Sequence, residues 1–482
     1  METKRPVQDE ITEELLEKEA PAAAVPESLK TNKKKRKILI IIFVLAAAAL
    51  AGWFAFSAWQ NAQYDKQLDL AQKYMDDGNY EDAILAYDAA ISIADNRQDA
   101  YEGKALASIN SGDIATAKQM YQKLYDITGS DSYKQMESTA GLGNSSANYA
   151  NGGIVTSYGD TVYVANMPSV GCISQIKDGD TRTVLDLSAE TRKVGNLSTD
   201  GTNLYYYVSR SDNLFSGDGY KIGIYKVPVD GGEETLLQEI HRSIGVMNLL
   251  YMQGKLYMLI SSEDYYTTIL TIDPNTGETA QFAQNRFSQI NSDGQYLYAV
   301  LNNSLDSEAV RMDSSGNITV LYSTQSASLR NLQFSGTRLY LAYAGNKGGG
   351  WDICSMNNDG SDVQMPDPGT MMYNSMNVDN KEIYMGGYYD SDNNPTNNPN
   401  KTSQVDIEAV DLNGQQVGDL IEFDLGDVLS DSSVSVGSFA DLCLENDRLY
   451  YQITYSKSGS STCYCWGSIK TDGTDNQIYS HT

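Results

Sequence analysis

One hairpin signature recurs seven times between Gly153 and Thr482, and it constrains the fold of this chain more than any other feature. Each copy is a turn, then an aliphatic residue followed by Tyr, then a further strand that ends at a Gly turn. The tyrosines are Tyr163, Tyr205, Tyr257, Tyr298, Tyr340, Tyr384 and Tyr450, spaced by 42, 52, 41, 42, 44 and 66 residues. The turns ahead of them are Gly159-Asp160, Asp200-Gly201, Gln253-Gly254, Asp293-Gly294, Ser335-Gly336, Asp379-Asn380 and Glu445-Asn446. Gly and Asn tolerate the positive φ that a tight hairpin requires. The later turns fall at Gly179, Gly231, Gly277, Gly316, Gly360, Gly414 and Gly473. A period of about 40–45 residues with four strands per copy predicts an all-β propeller of seven four-stranded blades over residues 153–482.

The N-terminal third is organised differently. Residues 1–37 are expected to form a disordered cytoplasmic tail, with 9 Lys+Arg against 8 Asp+Glu. Ile38 to Trp59 follows without a charged residue. Its 22 residues span about 33 Å as a helix, enough for a bilayer core of about 30 Å. Lys33, Lys34, Lys35, Arg36 and Lys37 stand directly before it. Such a block keeps its flank in the cytoplasm, so a single-pass anchor at 38–59 with the C-terminal part outside the cell is expected. The bilayer is thus one expected partner.

From Tyr64 the periodicity becomes helical. Ala71, Gly78, Tyr80, Ala83 and Tyr87 recur at an offset of 34 as Ala105, Gly112, Ile114, Ala117 and Tyr121. This pattern resembles the tetratricopeptide repeat, a helix-turn-helix unit of that length. The resemblance implies all-α repeats over residues 60–138, acting as a spacer or as a peptide-docking surface. It departs from the repeat at Gln67, where an aromatic is usual, and at Asp95 and Gly129, where Pro is usual. Residues 139–152 are rich in Gly, Ser, Asn and Ala, a composition expected of a flexible linker or of an irregular propeller edge.

The propeller repeat, with Asp-Gly-x-x-Leu-Tyr-Tyr at Asp200–Tyr206 and Ile-Tyr-x-Val-x-x-Asp-Gly at Ile224–Gly231, resembles the low-density-lipoprotein-receptor-like propeller found after a membrane anchor in many Gram-positive bacterial surface proteins. That resemblance implies architecture, since the domain largely lacks an assigned activity. The receptor's Tyr-Trp-Thr-Asp motif is missing. Consecutive strands are antiparallel, so the tight turns share one face, and the connections between strands two and three, and between blades, share the other. The insertions Arg210–Tyr220, Gly386–Ser403 and Val417–Phe439 belong to that second face. Binding residues concentrate on variable loops of rigid scaffolds. Phe215, Tyr220, Tyr265, Tyr266, Trp351, Tyr388 and Tyr389 are the candidate ligand-binding aromatics there.

Composition narrows the chemistry. Net charge is -28, and residues 60–482 carry 26 Lys+Arg against 55 Asp+Glu, which disfavours a nucleic-acid partner. Five cysteines make no disulfide scaffold, and two histidines give neither a metal-ligand spacing nor a readable catalytic triad. Asp390 to Asn394 opens like a calcium loop, but Pro395 and Lys401 replace the turn Gly and the closing Glu. No metal or cofactor is expected. The expectation is therefore a non-enzymatic cell-surface protein whose propeller loop face binds an envelope glycan, peptide or protein. Two alternatives stand beside it. One is an extracellular polysaccharide hydrolase or lyase, the other a structural subunit of an envelope complex assembled through the helices.

Overall fold

A computed structural model describes residues 33–482 except 112, 131, 139, 191, 211–219, 243–245, 262–265, 304–305, 336–337, 345–351, 366–370, 373–374, 380, 387–388, 391–402, 416, 418–420, 446, 458–461 and 482. Two compact units divide at Gln63 and Tyr64. In the first, helix α1 (Lys33–Asp76) begins. It is long and apolar enough to cross a membrane. Its large apolar side chains Ile38, Ile40, Phe43, Trp53 and Trp59 are exposed.

The second unit starts with the end of α1, followed by α2 (Tyr80–Ile93), α3 (Gln98–Ser111), α4 (Ile114–Thr128) and α5 (Ser132–Ser138). Each of α2, α3 and α4 packs against the next helix. Small residues allow this. Ala83, Ala90, Ala100 and Ala107 are fully buried in one cluster with Tyr64 and Tyr87, and Ala105 and Ala117 in another with Tyr121 and Leu124. Gly103 of α3 has no room for a side chain, because a Cβ would lie 2.2 Å from the Tyr87 ring. Asp113 caps α4, its Oδ1 accepting from Thr116 N at 3.1 Å. These helices are too few to define a clear all-α repeat domain of the kind the 34-residue offset suggests. They form a short run of packed helices.

The rest of the unit is a seven-bladed propeller. Its innermost strands are Val155–Tyr158, Lys193–Thr199, Val246–Met252, Phe287–Ser292, Ser328–Ser335, Ser375–Val378 and Ser435–Glu445. Each neighbours the next around the ring, and the seventh neighbours the first. Six blades are antiparallel four-stranded sheets in chain order. Blade 5 has three named strands, extended by a bridge between Ser355 and Gln364.

The seven marker tyrosines are all buried, so they build the propeller instead of decorating it. Each sits on its blade's second strand, where rings reach the next blade. Tyr205 stacks on Tyr251 at 5.5 Å, and Tyr298 meets Phe334 edge-on at 4.7 Å. The hydroxyl is used as well. Tyr205 donates to Asp200 at 2.6 Å and Tyr298 to Asp293 at 2.8 Å. The same aspartates close their turns, Asp200 Oδ1 accepting from Thr202 N and Asn203 N. Turn chemistry and core packing are thus one device.

Candidate functional site: the axis of the ring

The chain enters the ring along its axis before it builds the first blade. Gly141 and Gly143 bond to the inner-strand ends of blades 2 and 3: Gln253 N donates to Gly141 O at 2.9 Å, and Thr199 N to Gly143 O at 2.7 Å. Gly143 is obligatory there, since a Cβ would lie 2.9 Å from Thr199 O and 2.7 Å from Tyr251 Cβ. Ser145 then caps α6 (Ser146–Ala150), accepting from Asn148 N at 3.2 Å. Ala147, Asn148 and Tyr149 are buried.

This segment reaches every blade. Asn144 Nδ2 donates to Val155 O of blade 1 at 2.6 Å and to Leu197 O of blade 2 at 2.8 Å. The Tyr149 hydroxyl accepts from Tyr251 N of blade 3 at 3.0 Å. Ser146 O accepts from Asn291 Nδ2 of blade 4 at 2.8 Å, and Ser146 Oγ from Phe334 N of blade 5 at 2.9 Å. Asn151 Nδ2 donates to Met376 O of blade 6 at 2.7 Å, and Asn148 Nδ2 to Glu445 Oε2 of blade 7 at 2.6 Å.

Around this plug the blades are latched by side-chain amides. Asn166 Oδ1 accepts from Val194 N at 3.1 Å, Asn196 from Leu249 N at 2.9 Å, and Asn248 from Ile290 N at 3.3 Å. Gln289 Oε1 accepts from Leu332 N at 3.1 Å, Gln333 from Val378 N at 2.9 Å, and Asn377 Oδ1 from Leu444 N at 3.0 Å. Trp466 Nε1 closes the circle by donating to Asn166 O at 3.2 Å. Sequence reasoning missed these residues. Four of the six amides share one signal, an aliphatic residue directly after them: Asn196-Leu197, Asn248-Leu249, Gln289-Ile290 and Asn377-Val378.

The titratable groups of the axis belong to the inner strand of blade 7. Asp441, Cys443 and Glu445 alternate along it. Burial pushes the Glu445 carboxyl up to about 7, opposed by the hydrogen bonds from Ser157 and Asn148. Burial raises Asp441 to about 7 as well, opposed by Lys193. The Cys443 thiol is pushed well above its ordinary value by burial, then by Asp441 and Glu445, so it is no thiolate nucleophile. Away from the axis, burial alone lifts Glu408 to about 7, and its Oε2 has no hydrogen-bond partner. These carboxyls can exchange protons near neutrality. Among the described residues no group of three His, Cys, Asp or Glu side chains is placed to hold a metal ion.

The aromatics expected to bind ligand are not brought together by the described structure. Phe215, Tyr265, Trp351 and Tyr388 lie outside the described residues. Tyr220 and Tyr389 are strand residues, opposite Arg242 and Met372, whose side chains also lie outside them. Tyr266 is exposed, with the Arg286 guanidinium 5.7 Å from its ring centre. The segment 391–394 of the expected calcium loop is likewise outside the described residues.

Solved structures similar to this chain over part of its length exist. The chain is similar to one of two prolyl endopeptidases studied together (11% identity, TM-score 0.47, covering 76% of this chain and 54% of that one). Oligopeptidase B from Leishmania major matches at 11% identity and TM-score 0.45, covering 76% and 53%. An acylaminoacyl peptidase matches at 12% and 0.40, covering 64% and 49%. The chain thus spans about half the length of these proteins. No family model and no curated protein matches the sequence. The receptor-like class of propeller is accordingly not shown. The expectation of a non-enzyme is corrected by the same matches. The three proteins named here are peptidases. At such identity and TM-score the likeness assigns no activity to this chain.

Proposed function

We propose that this protein is a membrane-tethered, extracytoplasmic binding protein whose propeller presents its loop-bearing face to an envelope glycan, peptide or protein. One observation carries the reading: the axis of the ring is filled by the chain itself, and its helices lie against part of the hairpin-turn face. The axis holds α6. On the hairpin-turn face, Ile109, Tyr121 and Leu142 line one crevice with Tyr158, Asp200 and Tyr251. The opposite face is where second strands end and third strands begin, as at Ser261 and Thr267 or Gly386 and Gln404. That is the side of the insertions at Arg210–Tyr220 and Gly386–Ser403 and of exposed Tyr266. Val417–Phe439, by contrast, is in large part strand and helix, holding Ile421–Asp424, α7 (Leu425–Leu429) and the start of the inner strand of blade 7.

The basic block before the apolar part of α1 supports an N-terminus in the cytoplasm. We read the end of α1 together with α2, α3 and α4 as a tetratricopeptide-like pair that spaces the propeller from the membrane. Support comes from the buried equivalents Ala71 and Ala105, Ala83 and Ala117, and Tyr87 and Tyr121.

A photo-crosslinking amino acid tests the reading in intact cells. Placed at Tyr266 it should give a discrete adduct with an envelope component. Placed at Asp313, on the hairpin-turn face, it should not. Adducts from Asp313 alone would move the working surface to the other face and overturn the proposal.

A further inference from the structure

We propose that Glu445 is a pH-sensitive latch joining the last blade to the first and to the axial plug, and that this seam loosens as the carboxyl ionises. The seam is where the ring needs a device. Blade 1 is built from Val155–Asp186 alone and blade 7 from Ser435–His481 alone, so no strand is shared between the two ends of the propeller. Side chains hold them together. Trp466 donates to Asn166 O at 3.2 Å, and Cys443, Tyr450 and Trp466 pack with Ile154 and Val155. Glu445 is the polar centre of this contact. It is 3% exposed and accepts from Ser157 Oγ of blade 1 and from Asn148 Nδ2 of the plug.

Among the described residues no cation neutralises it. On its own strand stand Asp441 and Cys443. On the second strand Arg448 is its cross-strand partner, but that guanidinium is turned to Asp475 at 2.7 Å and to Ser468 Oγ at 2.8 Å. Tyr450, from the same strand, and Asp447, from the turn, are not cationic. Blade 1 offers Ser157 and Tyr158, the plug Asn148, and the inner strand of blade 6, Ser375–Val378, no charged residue. A carboxylate in such a place keeps two neutral donors and loses its water, so the neutral acid is favoured. Burial accordingly lifts the carboxyl to about 7. Asn148 Nδ2 donates to Asn144 Oδ1 at 3.2 Å as well, which holds the amide with its nitrogen toward Glu445.

The test is hydrogen exchange on the full chain in detergent micelles, read by mass spectrometry between pH 5.5 and 8.5 and normalised for the intrinsic exchange rate. In the wild type, amides of Ile154–Tyr158 should lose protection several-fold as pH rises through 7. Glu445→Gln, neutral throughout, should abolish that loss. Asp441→Asn should retain it, which separates the latch from its neighbour. Should Glu445→Gln fail to fold, Ser157→Ala serves instead: removing one donor should move the loosening to higher pH. Protection that stays flat in the wild type, an identical loss in Glu445→Gln, or an unmoved midpoint in Ser157→Ala would overturn the proposal.

Discussion

Asn377 links the inner strands of blades 6 and 7, accepting from Leu444 N at 3.0 Å and donating to Leu442 O at 3.1 Å. The side chain is fully buried. Asn377→Ala would strand a backbone donor and weaken the satisfaction of an acceptor, a loss of about 2 kcal/mol or more. Urea titration of the full chain in micelles should show a clearly lower midpoint. An unchanged midpoint would mean the amides are incidental. Such residues were hard to read. The tyrosine markers announce themselves by period, because each copy repeats the same local job. The latches repeat too, but their bonds join positions 42, 53 or 67 residues apart, and nothing in a single copy names the partner. In sequence, Asn and Gln read as turn or surface residues. Glu408 and Glu445 were hidden for a similar reason, because an acidic chain supplies many carboxylates and only the fold shows which are buried.

Hairpin turns are the elements where sequence and structure agree most closely, and two glycines separate the causes. Gly254, between the first two strands of blade 3, has φ +75° with open space where a Cβ would go. Gly277, in a later turn of the same blade, has φ +74°, and there a Cβ would lie 2.3 Å from Leu237 O of blade 2. Gly254→Ala should cost only the left-handed conformation, about 1–2 kcal/mol. Gly277→Ala should cost clearly more, because it also forces two blades apart. Thermal melts of the pair decide this, and equal losses would show that the later turns do not pack on neighbouring blades. Both positions were legible as turns, but the second role was not, since it depends on ring curvature. The axial plug shows the same limit. Gly141, Gly143, Asn144, Ser145 and Asn148 have the composition of a linker. The properties that make a linker flexible, small volume and side chains that bond to backbone, also let a chain thread a ring and bond to seven strands.

At the scale of the whole molecule, architecture was legible because both large features follow from period and length. Seven copies give seven blades, and an uncharged apolar run gives a helix fit to cross a bilayer. Stability of the whole propeller should depend on pH in a stated direction. Asp441, Glu445 and Glu408 are all raised to about 7 by burial. A carboxyl raised on folding contributes stability that is fully present below its unfolded value, about 4, and is lost as pH climbs through 7. Groups lowered on folding act in the opposite sense. Asp99, bonded to Tyr64 and Arg97, and Asp424, which caps α7 (Leu425–Leu429), lose their contribution only as pH falls below about 4. Between pH 5 and 8 the raised group therefore governs, and the melting midpoint of the propeller should fall by several degrees across that window. A midpoint that rises instead would show that these carboxyls are hydrated in solution. The orientation of the anchor is tested at the same scale. Lys33 to Lys37 should hold the N-terminal end inside, so protease added to intact cells should remove the propeller while an N-terminal tag survives. Replacing those five residues with Gln removes the charge but not the apolar run. The chain should then remain in the membrane fraction, with part of its propeller newly protected. Complete protection in the unmodified chain would place the propeller in the cytoplasm and remove the extracytoplasmic half of the proposed function, while leaving the ring, the plug and its latches as they stand.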